Sequence, residues 1–182
     1  MTDKDLNNST EEVVILVDEN DNEIDKELKS KVHHKNTPLH RAFSLFLFND
    51  DGKILATQRG EDKKTWPNVW SNSICGHPGL GESREDAVKR RMGEELGCGV
   101  KNLTKVSDYR YRFERDGVVE NEICPVFYGE IDGDLAPNPK EIQAWGWFEW
   151  GDFLDELRLD DENKWSEWSK EEVILVDEFL KK

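Results

Sequence analysis

No stretch of this 182-residue chain is apolar for long enough to cross a bilayer, and no apolar run near the N-terminus reads as an export signal. The expectation is a cytoplasmic protein that does not enter membranes. Cysteine is scarce and odd in number, at three (Cys75, Cys98 and Cys124), which argues against a disulfide framework and for free thiols in a reducing compartment. Basic residues are in the minority, 25 against 40 acidic ones, for a net charge of −15. That balance excludes non-specific nucleic-acid binding and otherwise favours solubility. Internal repeats are missing, and no linker divides the chain. What remains is enough length for one domain, residues 1–182, with a real core, and a monomer is the default expectation.

The segment Met1 to Glu12 is polar and expected to fray. Val13 to Val17 reads as a strand, followed by a turn at Glu19 to Asn22. The apolar run Arg41 to Phe48 and the stretch Lys53 to Arg59 read as a hairpin in a buried sheet. Leu103 to Phe113 and Val118 to Tyr128 flank Glu114-Arg-Asp-Gly117, a second hairpin signal. Ala144 to Trp150 is a further strand, and Asp152 to Leu157 a short helix. Ser169 is expected to open a final helix to Leu180, with Glu172 completing a capping box. The fold class that follows is α/β (α+β): a mixed β-sheet sandwich flanked by helices.

The stretch Ser73 to Cys98 carries the chemistry. A glycine-rich loop feeds a charged helix from Ser83 to Leu96, with Ser83 as N-cap and Asp86 three residues on. The N-terminal N–H groups of such a helix favour anions. Arg90 and Glu94, and Arg91 and Glu95, are four apart and so share helix faces. Carboxylates placed there can hold Mg2+, and Mg2+ can hold a diphosphate. Histidine adds a second possibility. His33, His34, His40 and His77 are the four histidines, and Glu120 and Glu122 alternate on an expected strand, pointing to one face. Three histidines with two carboxylates suit a divalent cation, with Mn2+ or Zn2+ favoured and Mg2+ allowed. The residues alone do not choose between His33 and His34.

Written out, Gly76 to Cys98 is G-x5-E-x7-R-R-M-x-E-E-x-G-C. It resembles the Nudix box, with Arg91 standing where most members carry Glu. The resemblance narrows further. Asn72-Ser-Ile-Cys-Gly-His-Pro78, Arg110-Tyr-Arg112, Glu120-Asn-Glu-Ile-Cys-Pro-Val-Phe127, Leu39-His-Arg-Ala-Phe43 and Thr65-Trp-Pro-Asn-Val-Trp-Ser-Asn72 look like type I isopentenyl-diphosphate Δ-isomerase. That likeness runs from about Val13 to Trp168, and Arg91 is then the expected residue.

The resemblance implies the isomerisation of isopentenyl diphosphate to dimethylallyl diphosphate, with protons added and removed on opposite faces. The matching essential side chains are Cys75 and Glu122. The matching metal ligands are His33, His40, His77, Glu120 and Glu122, the spacing to His40 selecting His33. A Mg2+ on the diphosphate would use Glu95 and the Cys75 carbonyl oxygen. Lys29, Arg59, Lys63 and Arg91 match the diphosphate ligands. Tyr111 matches a tyrosine bonded to the catalytic Glu, and Trp168 one that faces the cation, with Trp165 as fallback. Glu122 with Tyr111 is assigned to protonating the alkene, and Cys75 to removing the methylene proton. Cys98 and Cys124 are expected to be buried thiols, and Trp66, Trp145, Trp147 and Trp150 packing residues. Two rival functions are a Nudix hydrolase cutting a nucleoside diphosphate linkage and a non-catalytic diphosphate sensor.

Overall fold

The structure, a computed structural model, describes residues 12–182. The expected frayed segment therefore lies outside the described residues, apart from Glu12.

The chain begins with β1 (Val13–Val17) and β2 (Glu23–Leu28), which pair antiparallel around the turn expected at Glu19 to Asn22. β2 hides in the charged run Asp25 to Lys35, because only Leu28 of its six residues is buried. A short helix α1 (Lys29–Val32) follows, then β3 (His40–Arg41), β4 (Phe43–Phe48) and β5 (Ile54–Arg59). All six residues of β4 are buried, with Phe43, Leu45 and Leu47 in one apolar cluster and Phe46 and Phe48 in another. A strand covered on both faces has no need to alternate, which explains the continuous apolar run. The hairpin expected from β4 and β5 is nearly lost: they pair only at Phe48 and Ile54. Two short strands, β6 (Trp70–Ser71) and β7 (Ile74–Gly76), pair with β5 and β4 respectively and prise the hairpin open.

Helix α2 (Arg84–Arg91) starts as expected, with the Ser83 hydroxyl accepting from the Asp86 N–H. Its last turn differs from expectation: Met92–Leu96 is a π-helical turn, a rare form often found at functional sites. Gly97, at φ +67°, ends it.

β8 (Gly99–Ser107), β9 (Arg110–Arg115), β10 (Val118–Ile123) and β11 (Val126–Asp132) correct the long hairpin read from the sequence. The tight hairpin is β9–β10, turning on Asp116 and Gly117, both at positive φ. Each expected strand is broken, at Asp108-Tyr109 and at Cys124-Pro125, where the chain passes from one sheet to the other. Proline cannot donate to a ladder, so Pro125 suits such a break. β12 (Ile142–Phe148) lies beside β5, and α3 (Trp150–Arg158) follows.

The final helix, α4 (Glu167–Leu180), starts earlier than expected, with Ser166 ahead of it and Ser169 inside its first turn. Ser166 is anchored by its N–H to the Trp70 carbonyl, which fixes the helix entry there. Glu172 therefore caps nothing; it is fully buried.

One sheet runs β2-β1-β3-β10-β9, the other β12-β5-β4-β11-β8. Both are mixed, with β3 and β10 parallel in the first and β4 and β11 parallel in the second. The α2 residues Ala87 and Val88 pack with Phe43, Leu45 and Phe127 of the second. Residues Phe153, Leu157, Val173 and Val176 of α3 and α4 pack with Phe46, Phe48, Ile54 and Val126. A third cluster of Ala42, Trp66, Val69, Tyr111, Cys124 and Trp168 lies beside Cys75. Two minor expectations fail: Cys98 is only partly buried, and Trp145 is exposed.

Candidate active site

Strand register builds the centre of the site. β10 lies between β3 and β9, so Glu122 is opposite both His40 and Tyr111. Two residues along, Glu120 shares the face of Glu122, as alternation requires. His77 enters from the loop after β7, and His33 from the end of α1. Gly76 opens the motif because a side chain there would meet Phe43 at 3.0 Å and Arg91 at 3.3 Å.

The three histidine rings stand 5.1 to 5.5 Å apart between centroids. Ligand atoms of His33, His40, His77 and Glu122 all lie within 4.8 Å of one another. Nε2 of His40 and Nε2 of His77 lie 3.2 and 3.0 Å from Glu122 Oε1. His33 Nε2 faces Glu120 Oε2 at 3.1 Å, yet both atoms are buried without a hydrogen bond among the described residues. Orphaned buried acceptors of this kind call for a missing partner. His40 Nδ1 is 2.9 Å from the Pro38 carbonyl, which orients the ring with Nε2 inward, as metal-binding histidines need. The donor set fits a divalent cation. His34 is not part of it: its backbone and Nδ1 bond Thr37 and Asn36 instead.

A cavity of about 340 Å³ opens over this group, lined by Cys75, Glu122, Tyr111 and Trp168 among others. All four expected diphosphate ligands, Lys29, Arg59, Lys63 and Arg91, line it too, with Lys64 as a fifth cation that sequence reading missed. Trp168 is held against Tyr111, ring centroids 5.9 Å apart and nearly parallel, and meets Trp66 edge-on at 5.4 Å. Trp165 is buried in the core beneath α3 and α4, among Phe148 and Phe153. The structure thus brings Trp168, and not Trp165, to the cavity.

The basic wall is occupied by carboxylates of the protein itself. Arg91 donates to Glu12 at 3.0 Å and to Glu95 at 2.5 Å, while Lys29 pairs with Glu12 and Lys63 with Glu141. Burial works against the Glu12 charge, but Lys29 and Arg91 draw its carboxyl down to about 2. Arg59 donates to the Thr65 carbonyl and hydroxyl, and its guanidinium lies 5.7 Å from the Trp168 ring centroid. Glu95 and Cys75 line one smaller pocket with Arg59 and Lys63, beneath the main cavity.

Cys75 and Glu122, the residues expected to react, have opposed electrostatics. Burial pushes the Cys75 thiol up to about 12, and the Glu172 carboxyl adds to this. Burial also presses on Glu122, but hydrogen bonds from His40 and His77 outweigh it and hold that carboxyl well below its usual range. Tyr111 donates to Glu122 Oε2 at 2.5 Å, and burial followed by the Glu122 charge keeps its hydroxyl protonated far beyond the ordinary phenol range. One cavity is therefore lined by a thiol and by a phenol–carboxylate pair.

Glu172 is a feature the sequence misread. Neither of its oxygens has a hydrogen-bond partner among the described residues. Burial holds its carboxyl well above the usual range, and the Glu122 charge adds to this. Asn72 and Ser44 were also missed as contacts of Cys75, at 3.2 and 3.3 Å from its sulfur. Asn72 belongs to the Asn72 to Pro78 motif, but nothing in the sequence assigns its side chain to the sulfur, and Ser44 carries no signal of its own.

The NUDIX domain family matches residues 38–169. An isopentenyl-diphosphate Delta-isomerase from Mycolicibacterium vanbaalenii is 45% identical over 172 residues, covering 92% of this chain and 93% of the relative. One from Kocuria rhizophila is 50% identical over 142 residues, covering 77% and 79%. Among solved structures, DR0079 from Deinococcus radiodurans superposes with a TM-score of 0.64 at 21% identity, over 82% of this chain and 90% of that one. That last likeness speaks for the fold alone.

Proposed function

The chain belongs to the isopentenyl-diphosphate Δ-isomerases of the Nudix family, and from that membership we propose how its cavity works. The enzyme converts isopentenyl diphosphate to dimethylallyl diphosphate in isoprenoid biosynthesis. The reading of the individual residues rests on one observation: Cys75 and the Tyr111–Glu122 pair line one cavity whose rim is cationic.

An unactivated alkene is a weak base, so protonating it creates a tertiary cation of high energy. A positioned acid and base on opposite walls limit the lifetime of that cation. In the forward direction Glu122, with Tyr111, gives a proton to the terminal alkene carbon. Cys75 takes one from the neighbouring methylene, and the double bond moves between them. In reverse, the Cys75 thiol donates and Glu122 accepts. The Trp168 ring faces the developing charge, and an aromatic face contributes about 2 kcal/mol or more once water is excluded.

Lys29, Arg59, Lys63 and Arg91 bind the diphosphate. His33, His40, His77, Glu120 and Glu122 would hold a divalent cation, which we assign as Mn2+, Zn2+ or Mg2+. Glu95 and the Cys75 carbonyl would hold a Mg2+ bound to the diphosphate. Such ions neutralise phosphate charge and fix the ligands' geometry. We further read residues 1–182 as one domain acting as a monomer. The three free cysteines support a cytoplasmic location.

Incubation with isopentenyl diphosphate and Mg2+ in deuterated water tests the assignment. Wild type is expected to give dimethylallyl diphosphate carrying deuterium in a methyl group, and Cys75→Ala and Glu122→Gln to give none while remaining folded. Turnover by either variant would sink the residue roles. Phosphate release from a nucleotide would favour the hydrolase reading, against which Arg91 already stands in a carboxylate's place.

A further inference from the structure

The Cys75 thiol sits on β7 and the Trp168 ring on α4, elements that come together only in the folded chain. One side chain touches both. Asn72, almost wholly buried, places its Oδ1 3.2 Å from Cys75 Sγ and 3.2 Å from Trp168 Nε1. Its orientation is not free. Nδ2 donates to the Leu45 carbonyl at 3.0 Å and reaches the Ile74 carbonyl at 3.4 Å, so a flipped amide would set oxygen against oxygen. The amide oxygen must therefore face the thiol and the indole.

Two hydroxyls complete the arrangement. Ser71 and Ser169 donate to the same oxygen, at 2.8 and 3.1 Å. That makes four donors for one carbonyl with two lone pairs, so the load is shared. Trp168 Nε1 also reaches Ser71 Oγ at 3.0 Å, and Ser169 Oγ in turn accepts the Asn72 backbone N–H at 2.9 Å. Buried networks of this kind hold one geometry, because any shift strands a polar group. A network serving stability alone would have no reason to end on a thiol at the cavity wall.

We propose that Asn72 is a positioning residue of the isomerase: its amide oxygen sets the Cys75 thiol in register with the Trp168 ring, so that the sulfur meets the substrate methylene while the ring faces the cation. The proposal rests on the roles given above to Cys75 and Trp168. Asn72 itself touches neither substrate nor reacting atoms.

The prediction concerns partition as well as rate. When the cation forms, Cys75 can remove the methylene proton and complete the isomerisation. Alternatively, a proton leaves the new methyl group back to Glu122, regenerating isopentenyl diphosphate. In deuterated water the second route leaves deuterium in the terminal methylene of recovered substrate. A misplaced thiol raises that route relative to product.

The experiment compares Asn72→Ala, and the nearly isosteric Asn72→Asp, with wild type in deuterated water. Dimethylallyl diphosphate formed and deuterium in recovered isopentenyl diphosphate are both measured. For Asn72→Ala, kcat should fall about 10- to 100-fold, the cost of a displaced reacting group, with KM within about twofold of wild type. The ratio of exchanged substrate to product should rise at least severalfold. Asn72→Asp, kept protonated by burial so that its hydroxyl can donate to the Leu45 carbonyl, keeps an oxygen facing the thiol and should show the same changes more weakly. It carries the test if the alanine variant fails to fold. A merely structural role lowers exchange and product together and leaves the ratio unchanged, which would overturn the proposal, as would wild-type kinetics in both variants. Absence of product from wild type would instead overturn the isomerase reading beneath it.

Discussion

Tyr111→Phe is the most direct probe of the proton transfer proposed for Tyr111 and Glu122. The substitution removes one oxygen and leaves the ring, so the packing against Trp168, Phe113 and Tyr109 is retained. What is lost is the 2.5 Å hydrogen bond to Glu122 Oε2, inside a site where both partners are buried. A hydrogen bond to a charged group contributes about 1.5–3 kcal/mol. If that contribution is realised in the transition state, each 1.36 kcal/mol is a factor of ten, and kcat falls roughly 10- to 150-fold. KM should hardly change, because the Tyr111 hydroxyl is engaged with Glu122 and not with the cations proposed to bind the diphosphate. The assay is the initial rate of dimethylallyl diphosphate formation over a range of substrate, with a thermal melt to show that the variant is folded. A kcat within threefold of wild type would refute the assignment of Tyr111 to proton transfer.

Three further outcomes are expected. Glu12→Gln frees Arg91 and Lys29 from a competing carboxylate. Exposed ion pairs contribute up to about 1 kcal/mol, so KM for isopentenyl diphosphate should fall about two- to fivefold with kcat unchanged, and an unchanged KM would show that Glu12 does not occupy the anion's place. Glu172→Gln should stabilise the fold at neutral pH. The folded carboxyl lies above its ordinary value, so its stability contribution is complete below that value and is lost as pH rises through the folded one. Glutamine does not titrate, so melting should show a gain of about 2–4 °C, or about 1 kcal/mol, at neutral pH that closes on acidification; a gain independent of pH would refute the cause. Exhaustive chelation should abolish activity, with return on adding Mn2+, Zn2+ or Mg2+. His33→Ala should retain less metal after dialysis than wild type, and equal retention would exclude His33 as a ligand.

Local chemistry determined much of this protein from sequence. β1 is an apolar run of the length expected, Ser83 caps its helix, and alternation alone puts Glu120 and Glu122 on one face. These follow from nearest-neighbour rules, which operate within a turn or a few strand residues. Motif spacing and family likeness pointed to many of the residues gathered at the cavity, His33 over His34 among them, but not to Lys64 or to the Asn72 and Ser44 contacts of Cys75. Tertiary structure decided whatever depends on which segment lies alongside. β6 and β7 displaced the hairpin partner of β4, and Pro125 broke a strand the pattern read as continuous. Ser166, tied to Trp70, started α4 early and turned Glu172 from a cap into a buried acid. Likewise Trp168, and not Trp165, reached the cavity, because the first turn of α4 packs against Asn72 while Trp165 fills the core between α3 and α4. Burial and cross-strand register are set by distant partners, and no local pattern in the chain encodes them.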